Sequence, residues 1–292
     1  MKSNKLKHIK EMIMQVLFFV CACLSITAVF VICKFIFANG IPAISQIGFN
    51  NFLLGSKWKP SQELFGIFPM IVSSVYVTAG AVAVGAPIGI LTAVFLACYC
   101  PVPVYKIIKP MINLLASVPS IIYGFFFLVA VVPVIQRLTS TSGKGILTAS
   151  LLLGIMILPT IINTAEASIR AVPEQYYEGA LALGATKERS IFKTVIPAAS
   201  SGILSGVILG VGRAIGETMA VIMIIGNQPI LPDSITSGVR TLTGNIVIEM
   251  AYASGLHRGA LIGTAVVLFV FILIINLCFS AITRRRGINE QA

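Results

Sequence analysis

An all-α, polytopic membrane protein with six transmembrane helices is the fold class that three features of the sequence predict. Of 292 residues, 57% are hydrophobic and only 11% charged, and a mean hydropathy of +0.97 is incompatible with a soluble surface. Apolar runs long enough to cross the hydrocarbon core, which takes about 20 helical residues, occur at 12–38, 68–97, 111–135, 146–167, 198–226 and 259–282. The basic residues are sorted between alternate connections, as the bias of short cytoplasmic loops requires.

The first run follows Lys2, Lys5, Lys7 and Lys10 and could be misread as a secretory signal. It is longer than a signal core and lacks a small-x-small cleavage site, so an uncleaved first span is expected. Segment 39–67 then returns over the membrane surface, with Trp58 between Lys57 and Lys59 reading as an interfacial anchor. The second run carries Ala81, Gly85, Gly89, Ala93 and Ala97, and the fifth carries Gly202, Gly206, Gly210 and Ala214, a small residue at every fourth position. Such rows let helix backbones approach closely in lipid, either inside this subunit or at a seam with another. Pro87, Pro119, Pro133 and Pro159 are expected to kink or interrupt spans. Cys21, Cys23, Cys33 and Cys278 lie within spans and Cys98 and Cys100 at an edge, a pattern with no disulfide framework or metal site.

Adding Lys106 and Lys109, then Arg170, Lys187, Arg189 and Lys193, then Arg284, Arg285 and Arg286 to the N-terminal lysines puts 13 basic residues on one side. Six (Lys57, Lys59, Arg137, Lys144, Arg240 and Arg258) fall on the other, and Lys34 can snorkel. Both termini and connection 168–197 are therefore expected in the cytoplasm, with 39–67 and 227–258 outside. The net charge of +11 reads as topology and contact with anionic membrane lipids, not as a nucleic-acid footprint.

Connection 168–197 is the most informative polar stretch. Pro173 suits a first helical turn, Tyr177, Ala180, Leu181 and Gly184 share one face, and Gly184 can supply a left-handed stop before a second short helix ending near Pro197. A helix-turn-helix on the membrane surface, read by something outside the chain, is expected. The spacing of Glu178, Ala180, Gly184 and Pro197 resembles the E-A-A-x-x-x-G...I-x-L-P loop of permease subunits of bacterial ABC importers, whose short helix docks on the ATPase subunit. Gly179, Thr194 and Ile196 depart from that pattern.

Arg213 and Glu217 stand deep in the fifth run, in G-R-A-I-G-E-T-M-A-V-I-M-I-I-G-N. Charges at that depth are costly unless paired or facing water, and i, i+4 spacing on one helix would let them pair. Either a packing ion pair or a substrate pathway follows. A guanidinium presents a planar fork suited to an oxyanion, and a neighbouring carboxylate would weaken binding for release or accept a proton. No G-x-x-x-x-G-K-[ST] occurs, so ATP would have to be bound by another subunit.

The Gly212–Asn227 block, A-S-V-P-S-I-I-Y-G at 116–124 and the Glu178 loop together resemble the permeases of phosphate-specific transport (Pst) systems. T-M-A-V running to G-N is similar to the C-type subunit (PstC type). That resemblance implies the six-helix type I ABC importer permease fold in a bacterial cytoplasmic membrane. It also implies a substrate pathway at Arg213, Glu217 and Thr218, and ATPase coupling through Tyr177, Glu178, Gly179, Ala180, Gly184 and Pro197. The implied partners are a second permease of the PstA type, a dimeric P-loop ATPase of the PstB type holding ATP and Mg, and a phosphate-loaded binding protein of the PstS type. No cofactor or metal is implied in this chain, which is expected to be a transport subunit and not an enzyme. A permease for sulfate or molybdate, and a stand-alone secondary anion transporter, are the alternatives; a membrane hydrolase lacks its constellation of nucleophile and base.

Overall fold

The computed structural model describes the backbone of residues 2–289 and the side chains of residues 11–278 and 281. The side chains of Lys2, Lys5, Lys7, Lys10 and Arg284 to Arg286, counted above, lie outside the described residues. The chain begins with α1 (Lys2–Ile47) and α2 (Phe49–Leu54), then a hairpin of β1 (Trp58–Lys59) and β2 (Leu64–Phe65) that pairs antiparallel, Trp58 opposite Phe65. α3 (Phe68–Val94), extended by a π-turn at Phe95–Tyr99, leads to α4 (Val102–Ser117), α5 (Ser120–Phe126) and, through a π-turn at Phe127–Val131, α6 (Val132–Thr139). α7 (Ile146–Arg170), α8 (Glu174–Ala182), α9 (Lys187–Ser190), a π-turn at Ile191–Val195 and α10 (Ile196–Ala198) follow. α11 (Ser200–Gly216), α12 (Met219–Ile224), α13 (Leu242–Glu249) and α14 (Gly255–Asn289) complete the fold.

Five helices among the described residues are long and apolar enough to cross a membrane, and the pair 187–198 with 200–216, bent by 67°, makes a sixth. Two expected spans differ from the observed helices. The third, 111–135, runs across a break at Val118–Pro119; the apolar helix is Ser120–Thr139, and α4 is a separate, amphipathic helix. Proline explains the break, because it bars helical geometry at the preceding residue and donates no N–H; Val118 is extended at ψ 127°. The fifth, 198–226, is bent between α10 and α11 and interrupted again at Glu217–Thr218.

α7 is the central helix, with α3 on one side and α11 on another. Both rows of small residues face it. A methyl added at Gly85 would lie 2.7 Å from the Gly154 carbonyl oxygen, one at Gly89 2.9 Å from Ile161, one at Gly202 2.1 Å from the Ser168 hydroxyl, and one at Gly206 3.1 Å from Thr164. The rows thus bring backbones together within this subunit. Val77, Ala81, Leu152, Leu153, Ile157, Ile161 and Ala214 form the buried core around those contacts.

Two smaller cores close the ends. Phe52, Trp58, Phe65, Met70, Leu242 and Leu261 pack at one end, while Ala93, Ala165, Ile169, Ile191 and Ile203 pack at the end carrying α8. α1 pairs with α14 through its second half, where Gly40 abuts Val266 and Phe37 meets Phe269 edge to face at 5.8 Å. Residues 11–32 of α1 are exposed throughout, as suits a helix surrounded by lipid or by another subunit.

Gly85→Ala should therefore destabilise the fold by about 1–3 kcal/mol, since the obstacle is backbone and not a mobile side chain. Gly212→Ala, where nothing lies within 4 Å, should leave it unchanged. Thermal unfolding in detergent distinguishes the two variants.

Candidate functional site

The interruption between α11 and α12 shapes the first candidate site. Glu217 is extended (φ −69°, ψ 132°) and Thr218 non-helical (φ −126°, ψ −58°), so α11 stops at Gly216. The Glu217 carboxylate accepts from the backbone N–H of Thr218 at 3.2 Å and of Ala220 at 3.3 Å, satisfying donors that a helix start leaves open. Thr218 donates its hydroxyl to the Gly216 carbonyl at 3.2 Å, and Thr243 of α13 donates to the Glu217 carbonyl, also at 3.2 Å. The break itself is hydrogen-bonded from both sides.

That geometry corrects the expected Arg213–Glu217 pair. The two residues do not share a continuous helix, Glu217 is committed to α12, and among the described residues Arg213 forms no hydrogen bond or ion pair. Arg213 is exposed on a face of α11 that also carries Leu209, Gly212 and Gly216, and neither glycine has an atom within 4 Å of its Cβ position. Its charge reaches Tyr123 of α5, whose hydroxyl is hydrogen-bonded to the Leu115 carbonyl at 2.8 Å. An unpaired guanidinium, an open face and a broken helix together leave room for an anion.

The second candidate site is the connection after α7. Pro173 precedes α8, and Gly184 adopts φ +87° with its N–H bonded to the Leu181 carbonyl at 2.8 Å, a left-handed stop that glycine permits without strain. Thr186 then caps α9, accepting from Arg189 N–H at 3.3 Å. Tyr177 and Ala180 are half-buried, Tyr177 against the end core, whereas Glu178, Gly179 and Gly184 are exposed. Pro197 lies in α10, just before the 67° bend into α11. The outer face of α8 buries nothing, and Leu183 is 91% exposed.

Two charged networks escaped the sequence reading. Glu166 of α7, only 2% exposed, accepts from Tyr105 at 2.8 Å, Lys109 at 2.6 Å and Arg170 at 2.9 Å. Arg170 also donates to the Leu96 carbonyl at 2.8 Å and lies 4.8 Å from the centre of the Tyr105 ring, so α3, α4 and α7 are tied together beside α8. An acid within an apolar run was the available signal. At the opposite end Glu249 accepts from Trp58 at 2.9 Å, pairs with Arg240, and contacts His257 at 2.8 Å. Trp58 is therefore 4% exposed and part of the end core, not the interfacial anchor its flanking lysines suggested.

Burial alone would push the Glu249 carboxyl up, but hydrogen bonds from Trp58, His257 and Arg240 outweigh it and hold the group below the usual glutamate range. The lowered value means that Glu249 stabilises the fold above the unfolded-state pKa of about 4.3, and that this contribution is lost as pH falls through the folded value. Melting temperature should decline on acidification below about pH 4.3, and the decline should be shallower in Glu249→Gln. Glu249→Ala, which strands Arg240, should cost about 3 kcal/mol at neutral pH.

Residues 85–287 match the family model of the binding-protein-dependent transport system inner membrane component. The probable ABC transporter permease protein YqgH of Bacillus subtilis is 34% identical, over 88% of this chain and 86% of its own length. The phosphate transport system permease protein PstC of Mesorhizobium japonicum is also 34% identical, over 82% and 80%. Among solved structures, the inward-facing MetNI methionine ABC transporter superposes with a TM-score of 0.61 at 20% identity, covering 79% of this chain and 99% of that one. A bacterial alginate ABC transporter in complex with its periplasmic protein gives 0.57 at 16% identity, covering 89% and 93%. Those structures share the fold, and the chain belongs to the inner-membrane components of binding-protein-dependent transport systems, the multi-pass permease subunits of ABC importers.

Proposed function

We propose that this chain is the C-type permease subunit of an ATP-driven importer of inorganic phosphate, and that Arg213 touches the passing anion. The observation that carries this reading is the guanidinium on an open face of α11, unpaired among the described residues, beside a helix break whose carboxylate caps α12 through its Oε1. The PstC name of several relatives favours phosphate over sulfate or molybdate. Thr218 lines the break, and Glu217 acts by shaping it, because its carboxylate is held by the first turn of α12. The termini and the α8 connection face the cytoplasm in this reading, and the Trp58–Glu249 end faces outward.

The remaining parts of the machine are those that the resemblance to Pst permeases implies. A second permease of the PstA type completes the pathway, a dimeric ATPase of the PstB type binds ATP and Mg, and a binding protein of the PstS type delivers phosphate. Tyr177, Glu178, Gly179, Ala180 and Gly184 build the docking helix for the ATPase, and Pro197 directs the chain from it into α11. The apolar, fully projecting Leu183 is its contact.

Arg213→Lys keeps the charge but loses the planar fork, and uptake of labelled phosphate should fall about tenfold or more at matched levels of assembled complex. Exchanging the two residues, Arg213→Glu with Glu217→Arg, should not restore transport. Near-normal transport in the exchanged protein would overturn the contact between Arg213 and the anion. Competition of uptake by excess sulfate or molybdate, with none by phosphate, would replace the substrate.

Leu183→Asp should leave membrane insertion and melting temperature intact while weakening co-purification of the ATPase by about 2 kcal/mol or more. Undiminished co-purification and ATP-driven uptake would reduce α8 to a connector.

A further inference from the structure

A second polar group lies between α4 and α7, nearer the α8 end. Lys109 and Asn113 are one turn apart on α4, and Asn163 faces them from α7. Lys109 Nζ donates to Asn163 Oδ1 at 2.7 Å and to the Glu166 carboxylate at 2.6 Å, and Asn163 Nδ2 donates to Asn113 Oδ1 at 3.3 Å. Each acceptor group in this set thereby holds at least one hydrogen bond. Among the described residues the free donors are the third N–H of the Lys109 ammonium, the second N–H of Asn163 and both N–H groups of the Asn113 amide, beside one remaining lone pair on each amide oxygen.

Charge points the same way. The cluster holds two cations, Lys109 and Arg170, against the single carboxylate of Glu166. Asn113 is exposed, Asn163 half-buried, and the Lys109 side chain 24% exposed. The donors therefore face open space under a net positive field.

Helix packing sets the level. α7 and α11 run antiparallel, with Gly202 beside Ser168, Gly206 beside Thr164, and Gly210 beside Ile161 and Ile157. Arg213 is therefore level with the Ile157 turn, and Asn163 lies six residues farther toward the α8 end, about 9 Å at 1.5 Å per residue. Both positions flank the α4–α5 break, where Tyr123 connects α5 to α4.

We propose that Lys109, Asn113 and Asn163 form a second station for the transported oxyanion, to which it passes from Arg213 on its way to the α8 end. The inference rests on the reading of Arg213 as an anion contact. Two weak, successive donor sites suit transport, because each can be entered and left, whereas one strong site would retain the ion. Lys109 attracts, Glu166 moderates that attraction, and the two amides orient the ion.

Asn113→Asp tests the station without touching a buried residue. The new carboxylate would repel the anion and, at i, i+4, pair with Lys109. In the complete transporter in proteoliposomes, with the wild-type protein and Arg213→Ala run alongside, the maximal rate of labelled phosphate uptake should fall about tenfold through like-charge repulsion. The concentration of binding protein giving half-maximal uptake should stay within about twofold, because delivery precedes this step. Asn113→Ser, which keeps a donor, should transport at close to the wild-type rate, and Lys109→Arg should exceed Lys109→Met at equal assembly. Wild-type uptake by Asn113→Asp, with Arg213→Ala inactive, would overturn the station and leave the Arg213 reading standing. Uptake retained by both variants would overturn both, and absence of phosphate uptake by the wild-type transporter would overturn the phosphate assignment and the station with it.

Discussion

Close approach of α3 and α11 to α7 is the contact on which the rest of the molecule depends. In lipid, helices gain little from hydrophobic burial against one another, so association rests on van der Waals contact at short range. Gly85 and Gly89 on one side and Gly202, Gly206 and Gly210 on the other provide it, meeting the α7 backbone and the side chains of Ile157, Ile161, Thr164 and Ser168. Three helices held this tightly form a rigid frame. On it the broken elements, α4–α5 and α11–α12, can depart from helical geometry without loosening the whole.

The handling of charge differs by position, and the difference follows from burial. Glu166 and Glu249 are nearly inaccessible, and each is surrounded by three donors, as a buried carboxylate requires. Arg213 has no hydrogen-bond or ion-pair partner among the described residues and is exposed on an open face. An unpaired cation is affordable only where water or a ligand can reach it. Glu217 is intermediate: its carboxylate completes the first turn of α12, so a residue that looks like a counter-ion in the sequence maintains the break instead.

The two ends of the bundle are connected to its centre by different means. At the α8 end, Arg170 closes α7 three residues before Pro173, and its bonds to Glu166 and Leu96 tie that helix end to α3 and α4. At the other end Arg240 links Glu249 to the carbonyl of Asn227, whose amide in turn donates to Ile222 near the end of α12. Both ends of α12 are thus held by residues outside the spans, Thr243 at its start and Asn227 at its finish. Displacement of either surface would be felt at the broken helices.

Membrane class, the number of apolar helices, the close-packing rows, the surface helix with its glycine stop at Gly184 and the costly Arg213 were legible in the sequence. Each rests on local composition or spacing within one turn or one apolar run. The breaks were not legible to the same degree. Val118–Pro119 carried the proline signal, but hydropathy runs straight through it, and Glu217–Thr218 contains no proline and is flanked by apolar residues on both sides. Whether Arg213 pairs with Glu217 depends on whether the helix continues, and that was decided by capping bonds from Thr218, Ala220 and the distant Thr243. The same holds for Trp58, whose flanking lysines suggest an interface while Glu249, 191 residues away, draws its indole into the end core. Sequence determined what could be buried and where helices could run; only the tertiary structure decided which polar group satisfies which, because those partners are brought together by packing between segments far apart in the chain.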